Sequence, residues 1–569
     1  MSENSWRPYE ASDYLDVTDI DVFLNSAARD IPELFSFSQV GASRHGRPIW
    51  LVTLALGDKP LEERSILWLD AGTHASEWTG VSALMYSLSE WIKGVQQGDE
   101  GLLSWFEEHA ILAIPCISPD GYQALRDGAP YLRSTLRPPR HDAPRRGLDP
   151  CDMDGDGVVR WMRWKHPAGP LVEDEDVPLY MRPRRLDDDP DKAYFMCQEG
   201  QFIDWDGASW TGADSLYGID LNRNFPGNWK PFSMFGMDSG AYSASEPESR
   251  AVLDTFAQYP TIAAGLTYHT YTGCILTQPY SKDVPLQEDD LFLLQDLADN
   301  LVQDTGYVTY KVYPDFMYKE DSPTPGVWSD TMSTVFGVSS YTVEFWNPYK
   351  AAGVEVDQPA RLFAEPDPDI IKALVKFAAG YETKSWEVVE HPQLGEVEIG
   401  GIDYLHTVRN PPRENLLGEC RIGHNMAERL RHGLPRVRVN MESKALSGGG
   451  YLVSLLIENL GYLPTSSLHY AAKINASPGC RVVVRQEDGD AVIAAHSSSK
   501  ALKEFDHLQG WGDRLRDGGR HALYPGLGSQ PSRVCLEWIV ESEGVFHADV
   551  FAGRAGHQSI SMKLGQENQ

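Results

Sequence analysis

The chain has 569 residues, with 50 Lys plus Arg against 82 Asp plus Glu and a formal net charge of −32. Such a balance opposes broad binding to nucleic acid or to an anionic membrane, because the protein's own field repels phosphates. A content of 16 Trp, 25 Tyr and 19 Phe and a hydrophobic fraction of 42% exclude a solvating acidic polymer. The length calls for about two to four domains. Residues 1–14 carry neither a basic nor an apolar leader segment, no apolar run is long enough to span a bilayer, and seven cysteines stand singly with no CxxC. The expectation is a cytoplasmic chain with no membrane or nucleic-acid partner and no disulfide or thiolate-zinc framework.

In chain order, residues 1–34 read as a polar, acidic N-terminal extension with one short helix near 20–28. The pattern then becomes α/β. Ile49 to Leu56 and Ile66 to Leu69 are short apolar runs between turn residues, as in buried strands. Residues 79–95 place Val81, Leu84, Leu88, Trp91 and Ile92 at helical spacing. Ile111 to Ile117 is a third strand, closed by Ser118-Pro119-Asp120-Gly121. Strand, helix and strand in succession point to a sheet with crossover helices. Residues 128–218 are rich in Pro, Arg and Asp with little periodicity, and are expected to form an ordered but irregular insertion. Regular signals return as a strand over 263–269, a helix over 290–304, a strand over 341–345 and a helix over 370–379. Near residue 395 the texture changes to short strands between Gly- and Pro-containing turns, over 436–441, 451–457, 481–485, 534–540 and 545–551. The expected organisation is an extension over 1–34, an α/β domain over 35–394 and an all-β, sandwich-like domain over 395–569.

Spacing selects the residues that carry chemistry. In Gly72-Thr73-His74-Ala75-Ser76-Glu77-Trp78, a His and a Glu three apart sit at a strand-to-helix corner and can point toward one divalent metal. A surface His and a helix-capping Glu have the same spacing. A catalytic zinc needs a third protein ligand and an open position. The candidate is His269, at the carboxyl end of a predicted parallel strand, where open α/β sheets place ligands. A satisfied strand-end histidine is the structural alternative. Gly218-Ile219-Asp220-Leu221-Asn222-Arg223-Asn224-Phe225 adds a polar cluster after the insertion. Tyr341-Thr342-Val343-Glu344-Phe345 sets a carboxylate inside an apolar strand, which is costly unless the group is paired or works at a site.

In this order, HASEW, TYHTYTG, GIDLNRNF and YTVEFW resemble the motifs of the zinc metallocarboxypeptidases of the carboxypeptidase A type, over about residues 35–380. The resemblance implies a mixed, twisted, eight-stranded sheet flanked by helices. It implies that His74, Glu77 and His269 hold one Zn²⁺ per chain and that Glu344 is the general base. It implies that Asn222 and Arg223 grip the C-terminal carboxylate of a peptide substrate. The physical logic agrees. Zinc acidifies water and polarises a carbonyl, a carboxylate can carry the proton to the leaving amine, and the planar fork of an arginine suits a carboxylate.

The sequence departs from the family pattern in three places. Ser76 stands before Glu77, where many relatives have Arg. The stretch from Glu77 to His269 is longer than in the digestive relatives, through the insertion. The family's oxyanion arginine is therefore expected inside that insertion, among Arg160, Arg163, Arg182 and Arg184, with Arg163 chosen. The mobile tyrosine that covers the substrate is expected at Tyr318, at a spacing slightly longer than usual. Counting back from Glu344 puts Ser329 at the base of the specificity pocket, where a neutral residue argues against a Lys/Arg-specific enzyme.

Asp152-Met153-Asp154-Gly155-Asp156-Gly157 has the alternating acids of a calcium loop, so Ca²⁺ at Asp152, Asp154 and Asp156 is an expectation beside the plain Asp/Gly turn. Against an EF-hand, the twelfth position from Asp152 is Arg163 and not Glu. This insertion, GEVEIGG and a β domain with IENLGYLPT resemble a larger bacterial branch of the family, in which the C-terminal domain is expected to be accessory. His469, His496, His507 and His521 show no ligand spacing. The expected function is hydrolysis of the C-terminal bond of peptides with a free carboxylate, with a neutral, apolar or broad preference. The alternatives are an amidase on glutamyl or cell-wall peptide bonds, an aspartoacylase-like deacylase, and a non-catalytic binding protein on the same fold.

Overall fold

The computed structural model describes residues 5–138, 145–320, 322–486, 500–516 and 531–565. His496 and His521 lie outside the described residues. The core is an eight-stranded mixed sheet in the order Phe35–Ala42, Pro48–Leu54, His109–Ile114, Ser65–Ala71, Ile262–Thr270, Ser339–Phe345, Cys274–Thr277, Val308–Lys311. Its four middle strands run parallel. Every residue of Ser65–Ala71, His109–Ile114 and Ile262–Thr270 is buried, as expected of strands covered on both faces.

The strands read from the apolar runs are present, and the helices are found at Val17–Asp30, Trp78–Gln96, Glu288–Leu301 and Pro368–Ala378. The first of these is not an appendage. Ile20, Phe23, Leu24 and Ala27 enter the main hydrophobic core, so the expected extension is part of the α/β unit.

The insertion is more regular than its sequence implied. Trp161–Lys165, Leu171–Glu173, Met181–Pro183 and Ala193–Gln198 form a six-stranded sheet with Thr383–His391 and Gly395–Ile402. Ile399 of the late hairpin pairs with Met162 of the insertion. The domain boundary expected near 395 therefore falls inside a sheet, where backbone pairing forbids a break. The helix Arg413–Gly433 also belongs to the α/β unit, because it packs on Trp78–Gln96. Contact there is close enough that a Cβ on Gly423 would meet Ala83 Cβ at 3.1 Å.

A separate β sandwich begins at Val437. One sheet holds Val437–Ala445, Tyr451–Asn459 and Arg533–Val540; the other holds Leu502–Phe505, Cys480–Gln486, Gly544–Ala552 and His557–Leu564. Alternate residues such as Val453, Leu455, Ile457, Phe546, Ala548 and Val550 fill the space between them. The sandwich docks on the amino ends of the parallel strands. Ser467 Oγ donates to the Ala263 carbonyl at 2.6 Å, and buried Arg554 donates to the carbonyls of Ile262 and Phe336. Among the described residues, no helix is long and apolar enough to cross a membrane.

Candidate active site

The carboxyl ends of the same strands carry the polar cluster. Ser65–Ala71 leads through Gly72, at φ +69°, into the turn that holds His74 and Glu77. Parallel pairing sets His269 directly beside Glu344. His74 Nδ1 lies 2.9 Å from Glu77 Oε2, His269 Nδ1 lies 3.0 Å from the same oxygen, and the two Nδ1 atoms are 3.0 Å apart.

The far side of each ring is held. His74 Nε2 is 3.1 Å from Asp220 Oδ1, and His269 Nε2 is 3.2 Å from Thr267 Oγ1. With protons on the two Nε2 atoms, both imidazoles turn lone pairs toward the Glu77 carboxylate. Three electron-rich atoms this close repel unless a cation lies among them, and two imidazoles with a carboxylate are a fitting donor set for zinc. Burial alone would raise the Glu77 pKa, but His74, Arg133 and His269 hold it well below the usual carboxylate range.

Glu344 borders a cavity of about 850 Å³ in front of this cluster, together with Glu77, Arg133, Asp220, Arg223 and Tyr318. Desolvation, reinforced by the Glu77 carboxylate, pushes the Glu344 pKa up to about 7. Arg223 Nη1 donates to the Asn222 carbonyl at 2.7 Å, and Arg223 Nε has no partner among the described residues. Asn222 sits behind it, its Oδ1 accepting the Trp328 amide at 2.8 Å. Tyr318 packs edge-on against Phe235 and Phe363 at the cavity wall.

Two expectations are corrected. Arg163 does not face the cluster: its Nε reaches Glu398 and its Nη1 reaches Glu173, both at 2.7 Å, and it stacks on Tyr194 and Trp386. Arg182 is paired with Asp188, and Arg184 bonds the Pro167 carbonyl. An arginine that does reach the cluster is Arg133, whose Nη1 donates to Glu77 Oε1 at 2.8 Å and whose Nε donates to Asp220 Oδ2 at 3.2 Å. The chain enters the inserted sheets only at Gly147–Pro150, so Arg133 precedes them in a loop whose carbonyl accepts the Ala75 amide at 2.8 Å. Its place shortly after the Ile111 strand is legible in the sequence, but the irregular composition from residue 128 onward groups it with the insertion. Ser329 does not line the cavity. Its hydroxyl is engaged with Tyr280 Oη and with Thr342 Oγ1, the latter at 2.9 Å.

The calcium-like loop does gather Asp152, Asp154 and Asp156. Lys384 Nζ already bonds Asp154 at 2.8 Å and Asp156 at 3.2 Å, and Asp152 accepts the amides of Gly155 and Gly157.

The sequence model of the family described as zinc carboxypeptidase matches residues 20–373, more than half of the chain. The chain belongs to the zinc carboxypeptidase family. A model for a domain of unknown function matches residues 437–563, the β sandwich. Carboxypeptidase B of Astacus astacus is 36% identical over 111 residues, which is 19% of this chain and 34% of that protein. Carboxypeptidase B of Helicoverpa zea is 25% identical over 128 residues, 22% of this chain and 28% of that protein. The match thus spans about a third or less of these curated relatives. Among solved structures, a metallo-carboxypeptidase from Burkholderia cenocepacia aligns at TM-score 0.33 and 15% identity, covering 65% of this chain and 70% of that one. Family membership implies Zn²⁺.

Proposed function

We propose that this zinc carboxypeptidase family member removes the C-terminal residue of peptides. The observation that carries the reading is the convergence of His74, Glu77 and His269 beside Glu344 at the wall of one cavity. His74 Nδ1, Glu77 Oε2 and His269 Nδ1 would hold the Zn²⁺, and a zinc there would supply a Lewis acid that acidifies water and polarises a carbonyl.

The chain's own groups divide the remaining work. Arg223, with Asn222 behind it, binds the terminal carboxylate of the peptide, so that a chain end is read and an interior bond is not. Phe232, Met234, Phe235 and Met237 offer an apolar wall to the leaving side chain. Glu344 takes a proton from the attacking water and returns it to the leaving amine. Its raised pKa suits both halves of that transfer near neutral pH. Arg133 faces the negative charge that develops on the scissile carbonyl oxygen. Tyr318 covers the substrate from the cavity wall. No carboxylate stands among the four apolar residues of that wall, so the preference is apolar or broad.

The test is metal analysis of the purified protein with a panel of peptides differing in the last residue. One zinc per chain is expected, lost in His269→Ala, with turnover down about 10³-fold in Glu344→Gln. Full turnover after chelation overturns the reading. A tenfold preference for C-terminal Arg over Phe and Leu overturns its specificity.

A further inference from the structure

One arginine of the cavity has no task in that reaction. Arg409 ends the short helical turn Leu405–Arg409, beyond the stretch that matches the carboxypeptidase family, yet it lines the same cavity as Glu77 and Glu344. Its neighbour Asn410 clamps the turn to the active-site corner. Asn410 Nδ2 donates to the Ser76 carbonyl at 2.8 Å, and its Oδ1 accepts the Thr79 amide at 3.1 Å. The clamp leaves Arg409 Nη1 3.6 Å from Glu77 Oε1.

The guanidinium sits among the rings of Tyr271, Tyr404 and Tyr131, with centroids at 4.9, 5.8 and 5.9 Å. Its hydrogen bonds to protein are long. Nη1 to the Thr270 carbonyl and Nη2 to Tyr131 Oη both measure 3.4 Å, and Nε has no partner among the described residues. Yet its side chain is only 10% exposed. Burying a cation with its donors this poorly used is costly. Nor does Glu77 require it as counter-ion, because Arg133 already holds Glu77 Oε1 at 2.8 Å.

The same end of the cavity has other spare polar atoms. Arg160 Nη1 lacks a partner among the described residues, and so does the ring nitrogen His406 Nε2, which is an acceptor in the neutral imidazole. The nearby carboxylate of Asp403 is taken by His406 Nδ1 at 2.7 Å. None of the residues that Arg409 touches bonds Asn222 or Arg223, so Arg409 belongs to a different part of the site from the one that takes the chain end. A peptide running from the scissile bond toward its own N-terminus is what remains to pass it.

We propose that Arg409 is a specificity residue that binds a carboxylate side chain of the substrate upstream of the cleaved bond. The enzyme would therefore favour peptides with Glu or Asp there. A planar fork flanked by tyrosine rings is pre-set for bidentate carboxylate binding. The inference rests on the carboxypeptidase reading, and its test separates the two.

The probes are peptides ending in Phe that carry either Glu or Gln at one of the three positions before the cleaved bond. For one of these positions, wild-type kcat/KM is expected to favour Glu by about tenfold or more. Arg409→Gln brings that ratio to about 1, chiefly through KM, and Arg409→Lys keeps part of it. Zinc content is read in every variant. Calorimetry on zinc-loaded Glu344→Gln protein gives the same preference as tighter binding, absent from the Glu344→Gln, Arg409→Gln double variant. Equal loss on Glu and Gln peptides, or loss of zinc in Arg409→Gln, means that Arg409 only positions Glu77, and the proposal falls. No Glu preference at any position, in turnover or in binding, overturns it as well. If nothing is cleaved but the Arg409-dependent binding preference persists, the catalytic reading fails and the subsite stands.

Discussion

Buried arginines finish the two ends of the central sheet in opposite ways. At the amino ends of the parallel strands, Arg554 donates to the carbonyls of Ile262, Phe336 and Ala476, joining the α/β unit to the sandwich. Burial lowers its pKa to about 9; both Nη atoms bond backbone carbonyls, and Nε has no partner among the described residues. At the carboxyl ends, Arg133 and Arg409 lie at an open cavity beside groups of their own charge and carboxylates already engaged. The first arrangement leaves almost nothing for a ligand to do. The second leaves donors and lone pairs that only a ligand completes. Burial of charge thus marks docking in one place and chemistry in the other, and the state of the partners decides which.

The contrast can be broken by substitution. The largest expected effect is Arg133→Met, which should lower kcat/KM by about 10²–10³-fold while the fold persists. Arg163→Gln, the control from within the insertion, should leave kcat/KM within about twofold in the same assay. Next, Arg554→Met should cost about 3 kcal/mol in denaturant unfolding, since one buried and two part-buried carbonyls lose their donor, while kcat/KM per folded molecule is unchanged. A fall in kcat/KM instead would mean that the two ends of the sheet communicate.

A smaller effect concerns Asp70, buried on the strand between the two ends. Its Oδ2 accepts from Trp68 Nε1 at 2.7 Å, and its Oδ1 has no partner among the described residues. Burial raises its pKa from 3.8 to about 7. The folded state therefore holds this proton more tightly than the unfolded chain. The contribution to stability is full below about pH 4 and is lost as pH rises through about 7. Asp70→Asn should flatten that part of the stability–pH curve measured by thermal unfolding; an unchanged curve rules the assignment out. Smallest is the response to calcium. If Lys384 keeps its place on Asp154 and Asp156, about 1 mM Ca²⁺ should leave the Tm unchanged within about 1 °C, whereas a rise of several degrees shows that the ion displaces the lysine.

Local pattern made much of this molecule readable. Continuous apolar runs located the buried strands, and helical spacing located Trp78–Gln96. Short apolar runs between Gly- and Pro-containing turns marked the sandwich strands, such as Tyr451–Asn459 and Gly544–Ala552. The short strands Cys274–Thr277 and Val308–Lys311, the second at the sheet edge, carry no signal in the sequence, because four residues are too few to show a period. The insertion hid its sheet for a different reason. Its strands pair with a hairpin more than 200 residues later in the chain, and no local signal reports that pairing (Met162 with Ile399).

The sequence by itself determined the chemistry on offer: two imidazoles, a ligand-type carboxylate, a second carboxylate in an apolar strand and an Asn-Arg pair, in an order that resembles one family. It determined these because side-chain type and spacing along one element are local properties. Only the tertiary structure decided which arginines serve the site. Arg133 and Arg409 are far apart in the chain, yet both reach Glu77, one through the loop that receives the Ala75 amide and the other through the Asn410 clamp on Ser76 and Thr79. Arg163 is consumed by Glu173 and Glu398. An arginine's role depends on which carboxylates the fold brings within reach, and those partners come from distant segments.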